Sequence, residues 1–118
     1  MSEDIASSNE VQRQIGSRID TEFLDAGKIT GRLILRSWEK GDRFIPLGMK
    51  GFKNLSDFFI DQKVTLSEKG RIPILVERKY KQENIIWICG YRIDDRYKTD
   101  HLTQRILKLK CERYEKDH

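Results

Sequence analysis

Gly41-Asp42-Arg43-Phe44-Ile45-Pro46-Leu47-Gly48-Met49-Lys50-Gly51-Phe52-Lys53-Asn54-Leu55-Ser56-Asp57-Phe58-Phe59-Ile60-Asp61-Gln62-Lys63 is the stretch on which the reading of this 118-residue chain turns. Three glycines and one proline within its first eleven residues predict a loop of fixed shape, neither helix nor strand. The second part predicts a helix. Asn54 can cap it, Asp57 stands in its first turn and Lys63 closes its last, each with the charge the helix dipole favours. Leu55, Phe58, Phe59 and Gln62 fall at i, i+3, i+4 and i+7, so the two phenylalanines mark the anchored face. Arg43, Lys50 and Lys53 decorate the loop, and the loop feeds a helix N-terminus. Backbone N–H groups, the positive dipole end and cationic side chains converging there suit a phosphate; the plain alternative is a solvated connection. No Gly-Lys-Ser/Thr follows the glycines, which excludes a Walker loop, and Gly48-x-x-Gly51 alone is weak grounds for a KH-type clamp.

Outward from that stretch, the length predicts one domain. Charged residues make up 36% of the chain, well above the usual quarter, and they are unevenly spread. Residues 1–26 carry two bases against six acids, whereas the remainder carries 21 bases against 13 acids, so the folded part is distinctly basic and suited to an anionic partner. Cys89 and Cys111 sit in apolar runs without metal-ligand spacing and read as buried thiols, with a disulfide between facing strands as the alternative. His101 and His118 form no cluster with them, which argues against zinc. With no run of about 20 apolar residues and no signal peptide, the expected location is cytoplasmic, without membrane contact.

Residues 1–18 read as a flexible leader or linker remnant, 19–114 as the domain and 115–118 as a solvated tail. Within the domain, Glu22 to Asp25 predicts a brief strand, and Ile29 to Trp38 a longer one with Leu33 and Leu35 on one face and Arg32, Ile34, Arg36 and Trp38 on the other. Thr65-x-x-Glu68 predicts a capping box on a short helical turn ending near Gly70. Ile72 to Val76 is a strand whose Pro73 belongs at its first residues or on an edge. Lys79 to Asn84 predicts a polar hairpin loop, and Ile85 to Cys89 a strand so apolar that both faces must be covered. Thr99 to Gln104 predicts a short capped turn. Arg105 to Arg113 alternates as a half-buried last strand, with Leu107, Leu109 and Cys111 inward.

No catalytic constellation emerges. Asp57 with Asp61, and Asp94 with Asp95 beside Arg92 and Arg96, read as salt-bridged structure, and no Ser-His-Asp or Cys-His arrangement can be assembled. Arg92, Arg96 and Lys98, interleaved with Tyr91 and Tyr97, admit two readings. Guanidinium forks and rings could hold phosphate and base, or the arginines could pair with Asp94 and Asp95 over core tyrosines.

Four blocks in register resemble the C-terminal domain of bacterial tRNA(Ile)-lysidine synthetase: Gly41-Asp42-Arg43-Phe44-x-Pro46-Leu47-Gly48-Met49-x-Gly51; Lys53-x-Leu55-x-Asp57-Phe58-Phe59-x-Asp61; Pro73-x-Leu75; and Ile86-Trp87-x-x-Gly90-x-Arg92-Ile93-Asp94-x-Arg96-Tyr97-Lys98. Asn54 departs from the pattern, because a second lysine commonly stands there in the family. The resemblance implies an α+β fold of mixed and antiparallel β-sandwich-like layers with one main helix, similar to a domain of the phenylalanyl-tRNA synthetase beta subunit. It also implies a role in choosing the minor isoleucine tRNA from the acceptor-stem side. Lysine ligation to the wobble cytidine would belong to an N-terminal catalytic domain that uses ATP and lysine through a Ser-Gly-Gly-x-Asp-Ser loop. No Ser-Gly-Gly occurs in these 118 residues, so this chain is expected to be no enzyme by itself and to need no cofactor of its own.

On that basis the tRNA contacts are expected from Arg36, Arg43, Lys50, Lys53, Arg92, Arg96 and Lys98, with Arg43 and Arg92, beside Asp42 and Asp94, the two most suited to a structural role. The alternative is a protein-protein module that packs on the catalytic domain or on a second copy, without touching RNA.

Overall fold

The computed structural model describes residues 17–114, with side chains from 20 to 112. In chain order they form β1 (Ser17–Asp25), β2 (Arg32–Arg36), β3 (Arg43–Phe44), β4 (Lys53–Asn54), α1 (Leu55–Asp61), α2 (Leu66–Lys69), β5 (Ile74–Lys79), β6 (Gln82–Ile88), β7 (Arg92–Ile93) and β8 (Ile106–Tyr114). Single 3-10 turns occupy Ala26–Lys28 and Asp95–Tyr97. A four-stranded antiparallel sheet in the order β2-β5-β6-β7 is the middle layer, while β1 pairs only with β8 and β3 only with β4. The class is α+β, as expected.

The apolar run of β6 explains the layering. Side chains alternate across a strand, so Ile74 and Val76 face one way and Leu75 the other. On the first face, Leu55, Phe58 and Phe59 of α1 pack with Phe44, Ile72, Ile74, Val76, Ile85 and Ile88. Phe44 meets Phe58 edge-on at 5.2 Å, and Trp38 meets Phe59 at 5.9 Å, the arrangement ring quadrupoles favour. On the second face the β1–β8 ribbon lays Leu24, Leu107, Leu109 and Cys111 over Leu75, Ile86, Trp87, Cys89 and Ile93. A bulge makes this cover continuous. Val76 pairs with Ile85 and Leu75 with Trp87, so Ile86 is an extra residue and it joins its neighbour Trp87 on the same face. Full burial of each such side chain contributes about 1.5–3 kcal/mol relative to exposure, so both covers are needed.

Several elements differ from expectation. β1 is longer than Glu22 to Asp25 and starts at Ser17, inside the segment read as leader, because pairing with all of β8 stabilises residues whose own side chains are polar. Residues 1–16 and 115–118 lie outside the described residues. β2 is shorter than Ile29 to Trp38. Its expected faces hold, but Ile34 packs on the core while Leu33 and Leu35 stay exposed. The glycine-rich loop is closed at its base by the two-residue ladder of β3 and β4. Asn54 occupies the N-cap of α1 without a side-chain hydrogen bond. Lys63 lies beyond the last turn at φ 59°, where Val64 N donates to Phe59 O and Lys63 N to Ile60 O in a Schellman motif. The polar hairpin loop contracts to Tyr80 and Lys81, since main-chain pairing carries Gln82, Glu83 and Asn84 into β6.

The capping box is present: Glu68 N donates to Thr65 Oγ1 and Thr65 N to Glu68 Oε1. Pro73 immediately precedes β5, and β8 turns Leu107, Leu109 and Cys111 inward.

Candidate functional site

The first and fourth sequence blocks are stitched together by backbone. Pro46 bridges Asp94, Asp95 N donates to Ile45 O at 2.7 Å, and Leu47 N donates to Ile93 O at 3.1 Å. Asp94, fully buried, is the centre of the seam. Its Oδ1 accepts from the Arg96 backbone N–H and from Arg96 Nε; its Oδ2 accepts from Ile45 N and from Arg96 Nη2. Asp95 extends the seam by accepting from Gly48 N, where the chain turns at φ 88°. That bond and the nearby Lys98, 3.2 Å away, hold the Asp95 carboxyl below its usual range.

Glu77 of β5, also buried, anchors the seam from below. Its Oε1 accepts from Thr30 N and Gly31 N, and its Oε2 from the Tyr97 hydroxyl at 2.5 Å. Burial pushes the Tyr97 hydroxyl upward and its bond to Glu77 adds to the shift, so Tyr97 stays neutral and serves as a core residue. Tyr91 likewise packs on the helix-side core. Of the two readings open for these tyrosines, the structural one holds.

The seven expected cations do not form one group. Arg36 is locked between carboxylates, through a two-pronged pairing with Asp42 at 3.0 Å and a bond from Nε to Glu83 at 3.1 Å. Its hydrogen bonds to Asp42 push the guanidinium pKa further above its ordinary value. Lys53 is drawn to Asp61 of α1 at 2.7 Å, and Lys98 to Asp95. Arg96 is gripped by Asp94, which raises its pKa. Arg92 lies over the Phe58 ring at 5.6 Å. Arg43 lies over the Phe52 ring at 4.5 Å, and the structure gives Lys50, exposed on the loop, no ion pair among the described residues. The neighbouring aspartates that suggested a structural role for Arg43 and Arg92 are paired elsewhere. Asp42 takes Arg36, and Asp94 takes Arg96, which is as near to it in the chain as Arg92, so Arg43 and Arg92 are left without carboxylate partners among the described residues.

What the fold does bring together is Arg43, Arg96 and Phe52. The Phe52 ring is 48% exposed and has guanidinium carbons at 4.5 and 5.1 Å from its centre. Phe52 was absent from the expected site; its only signal in the sequence is an aromatic residue between Gly51 and Lys53 in a loop otherwise poor in apolar need. Asp42, Asp94 and Glu77, the carboxylates that position everything else, were legible only as acids beside bases. The described residues hold no cluster of three or more histidine, cysteine or acidic side chains suited to a metal.

Residues 33–111 match the family model described as the TilS substrate C-terminal domain. Among curated relatives, the tRNA(Ile)-lysidine synthase of Caldanaerobacter subterraneus subsp. tengcongensis is 41% identical over 88 residues, 75% of this chain and 18% of that protein. That of Clostridium tetani is 38% identical over 109 residues, 92% of this chain and 22% of the relative. The chain thus spans about a fifth of the length of these relatives. A crystal structure of a TilS C-terminal domain superposes with a TM-score of 0.63 at 22% identity, covering 86% of this chain and 87% of the other, a likeness of fold.

Proposed function

Because this chain belongs to the TilS substrate C-terminal domain family, we propose that it is the tRNA-recognition module of a tRNA(Ile)-lysidine synthase. In this reading the domain grips the sugar-phosphate backbone of the minor isoleucine tRNA on its acceptor-stem side. A separate catalytic domain, which consumes ATP and lysine, modifies the wobble cytidine in the cytoplasm, and this domain uses no cofactor of its own. Among the described residues no helix is long and apolar enough to cross a membrane.

The supporting observation is the seam centred on buried Asp94, which ties the backbones of the two basic blocks together, while Arg43, Lys50 and Arg92 have no carboxylate partners among the described residues. An A-form stem presents phosphates and 2′-hydroxyls across a shallow minor groove, which rigid cations can match. Arg36, Lys53 and Lys98 contribute field and shape from their ion pairs, and Arg96 contributes its remaining donors. The test is fluorescence titration of the 118-residue chain with a labelled acceptor-stem minihelix. With about three phosphates neutralised, affinity should fall ~40-fold between about 50 and about 200 mM salt. Salt-independent binding, or none at the lower salt, overturns the proposal.

A second reading, packing against the catalytic domain or a second copy, draws on Leu33 and Leu35, exposed together on the open edge strand β2. A monomer at high concentration would remove its homodimer version.

A further inference from the structure

We propose that Phe52, flanked by Arg43 and Arg96, is a stacking site for the base of an unpaired nucleotide next to the stem; this rests on the RNA-binding reading above. Three of the five phenylalanines, Phe44, Phe58 and Phe59, are buried in the helix-side core. Phe23, the other exposed one, has a single lysine 6.0 Å from its ring. Phe52 differs in having two guanidiniums close to its ring while half its surface remains open to solvent.

Stability does not account for that arrangement. A half-exposed apolar ring buries little area, and cation–π contacts at exposed positions add little. The supports, by contrast, are rigid. Arg96 is held by two bonds from its guanidinium to Asp94, itself fully buried, so its plane is fixed before any ligand arrives. The Phe52 loop is pinned at both ends by the β3–β4 ladder and in its middle by the Gly48–Asp95 bond. A nucleobase is flat, offers a π-face and carries a phosphate one sugar away. A ring beside guanidiniums supplies a stacking surface for the first and fork-shaped donors for the second. Bases inside a duplex cannot reach such a platform, so the ligand is an unpaired nucleotide. Met49 and Leu47, both exposed on the same loop, would border the stacked base with apolar surface.

The experiment compares two RNA hairpins of identical stem, one blunt and one with a single-stranded 3′ overhang carrying 2-aminopurine as its first unpaired base. For the native chain the overhang should tighten binding about 5- to 150-fold and quench the 2-aminopurine. Phe52→Ala should lose that gain and the quench, so that it binds its blunt and overhang hairpins with equal affinity. Phe52→Trp should keep both, and unchanged circular dichroism of the two variants assures that the fold persists. Blunt-stem binding without an overhang gain, or a gain that Phe52→Ala retains, overturns this inference alone. Failure to bind either hairpin at low salt overturns it together with the RNA-binding reading.

Discussion

Replacing Asp94 by Asn changes one atom and removes the charge at the centre of the seam. Four donors converge on its carboxylate: the backbone N–H groups of Ile45 and Arg96, and Nε and Nη2 of Arg96. Each oxygen takes one backbone and one guanidinium donor. Asparagine keeps one acceptor oxygen, so in either orientation its NH2 group faces two donors, one of them a backbone N–H. An unsatisfied buried group costs about 1–3 kcal/mol, and breaking a buried ion pair about 3–5 kcal/mol. Arg96 is partly exposed and can recover water, which brings the expected loss to about 2–4 kcal/mol. For a domain of about 100 residues that is a large part of the total and lowers the melting temperature by more than about 10 °C. Urea unfolding followed by the fluorescence of Trp38 and Trp87 and by circular dichroism measures it. Freed from its fork, Arg96 should also cease to support Phe52, so hairpin binding weakens even at temperatures where the variant is folded. A loss below about 1 kcal/mol, with binding intact, would refute the view that this carboxylate holds the seam.

Gly31→Ala should be strongly destabilising, by about 1–3 kcal/mol in the same assay, because the added methyl would lie 2.5 Å from the Arg78 carbonyl oxygen on the paired strand; a stability equal to the native chain would show that the strands part freely. Lys63→Gly should stabilise by about 0.5–1 kcal/mol, since Lys63 holds φ 59° in the Schellman turn, a conformation glycine adopts without steric cost, and a neutral or adverse result would mean that the lysine side chain does more than close the helix. Glu77 gives a pH signature. Burial pushes its carboxyl up, but the bonds from Tyr97, Gly31 and Thr30 outweigh that and hold it below its ordinary value of 4.5. Its contribution is therefore complete above about pH 4.5 and is lost as pH falls through the depressed folded value. Tyr97→Phe should cost about 1–3 kcal/mol at pH 7 and make the acid loss shallower; equal acid sensitivity in the two proteins would exclude Glu77 as a contributor.

The Ile85 to Cys89 run, the 55-58-59 spacing of α1, the Thr65–Glu68 box and the alternation of β8 were all legible because each is a local pattern with a fixed period, and burying an apolar face leaves few ways to satisfy it. The basic loop was legible as a loop because three glycines and a proline restrict the backbone wherever the chain goes. Its base pairing through Arg43–Phe44 and Lys53–Asn54 was not, since a two-residue ladder has no period to show.

Sequence by itself thus determined the layers, the motif blocks and the family they resemble. Only the tertiary structure decided which acid meets which base. Neighbours along the chain set Arg43 beside Asp42 and left both Arg92 and Arg96 as partners for Asp94, yet Asp42 receives Arg36 from β2, and of the two arginines Asp94 receives Arg96. A charge on a long side chain reaches partners in any direction, so pairing depends on how the backbone turns nearby and, for Arg36 with Glu83, on where β2 and β6 come to rest. The same placement put two guanidiniums beside Phe52, a residue that no local pattern could single out.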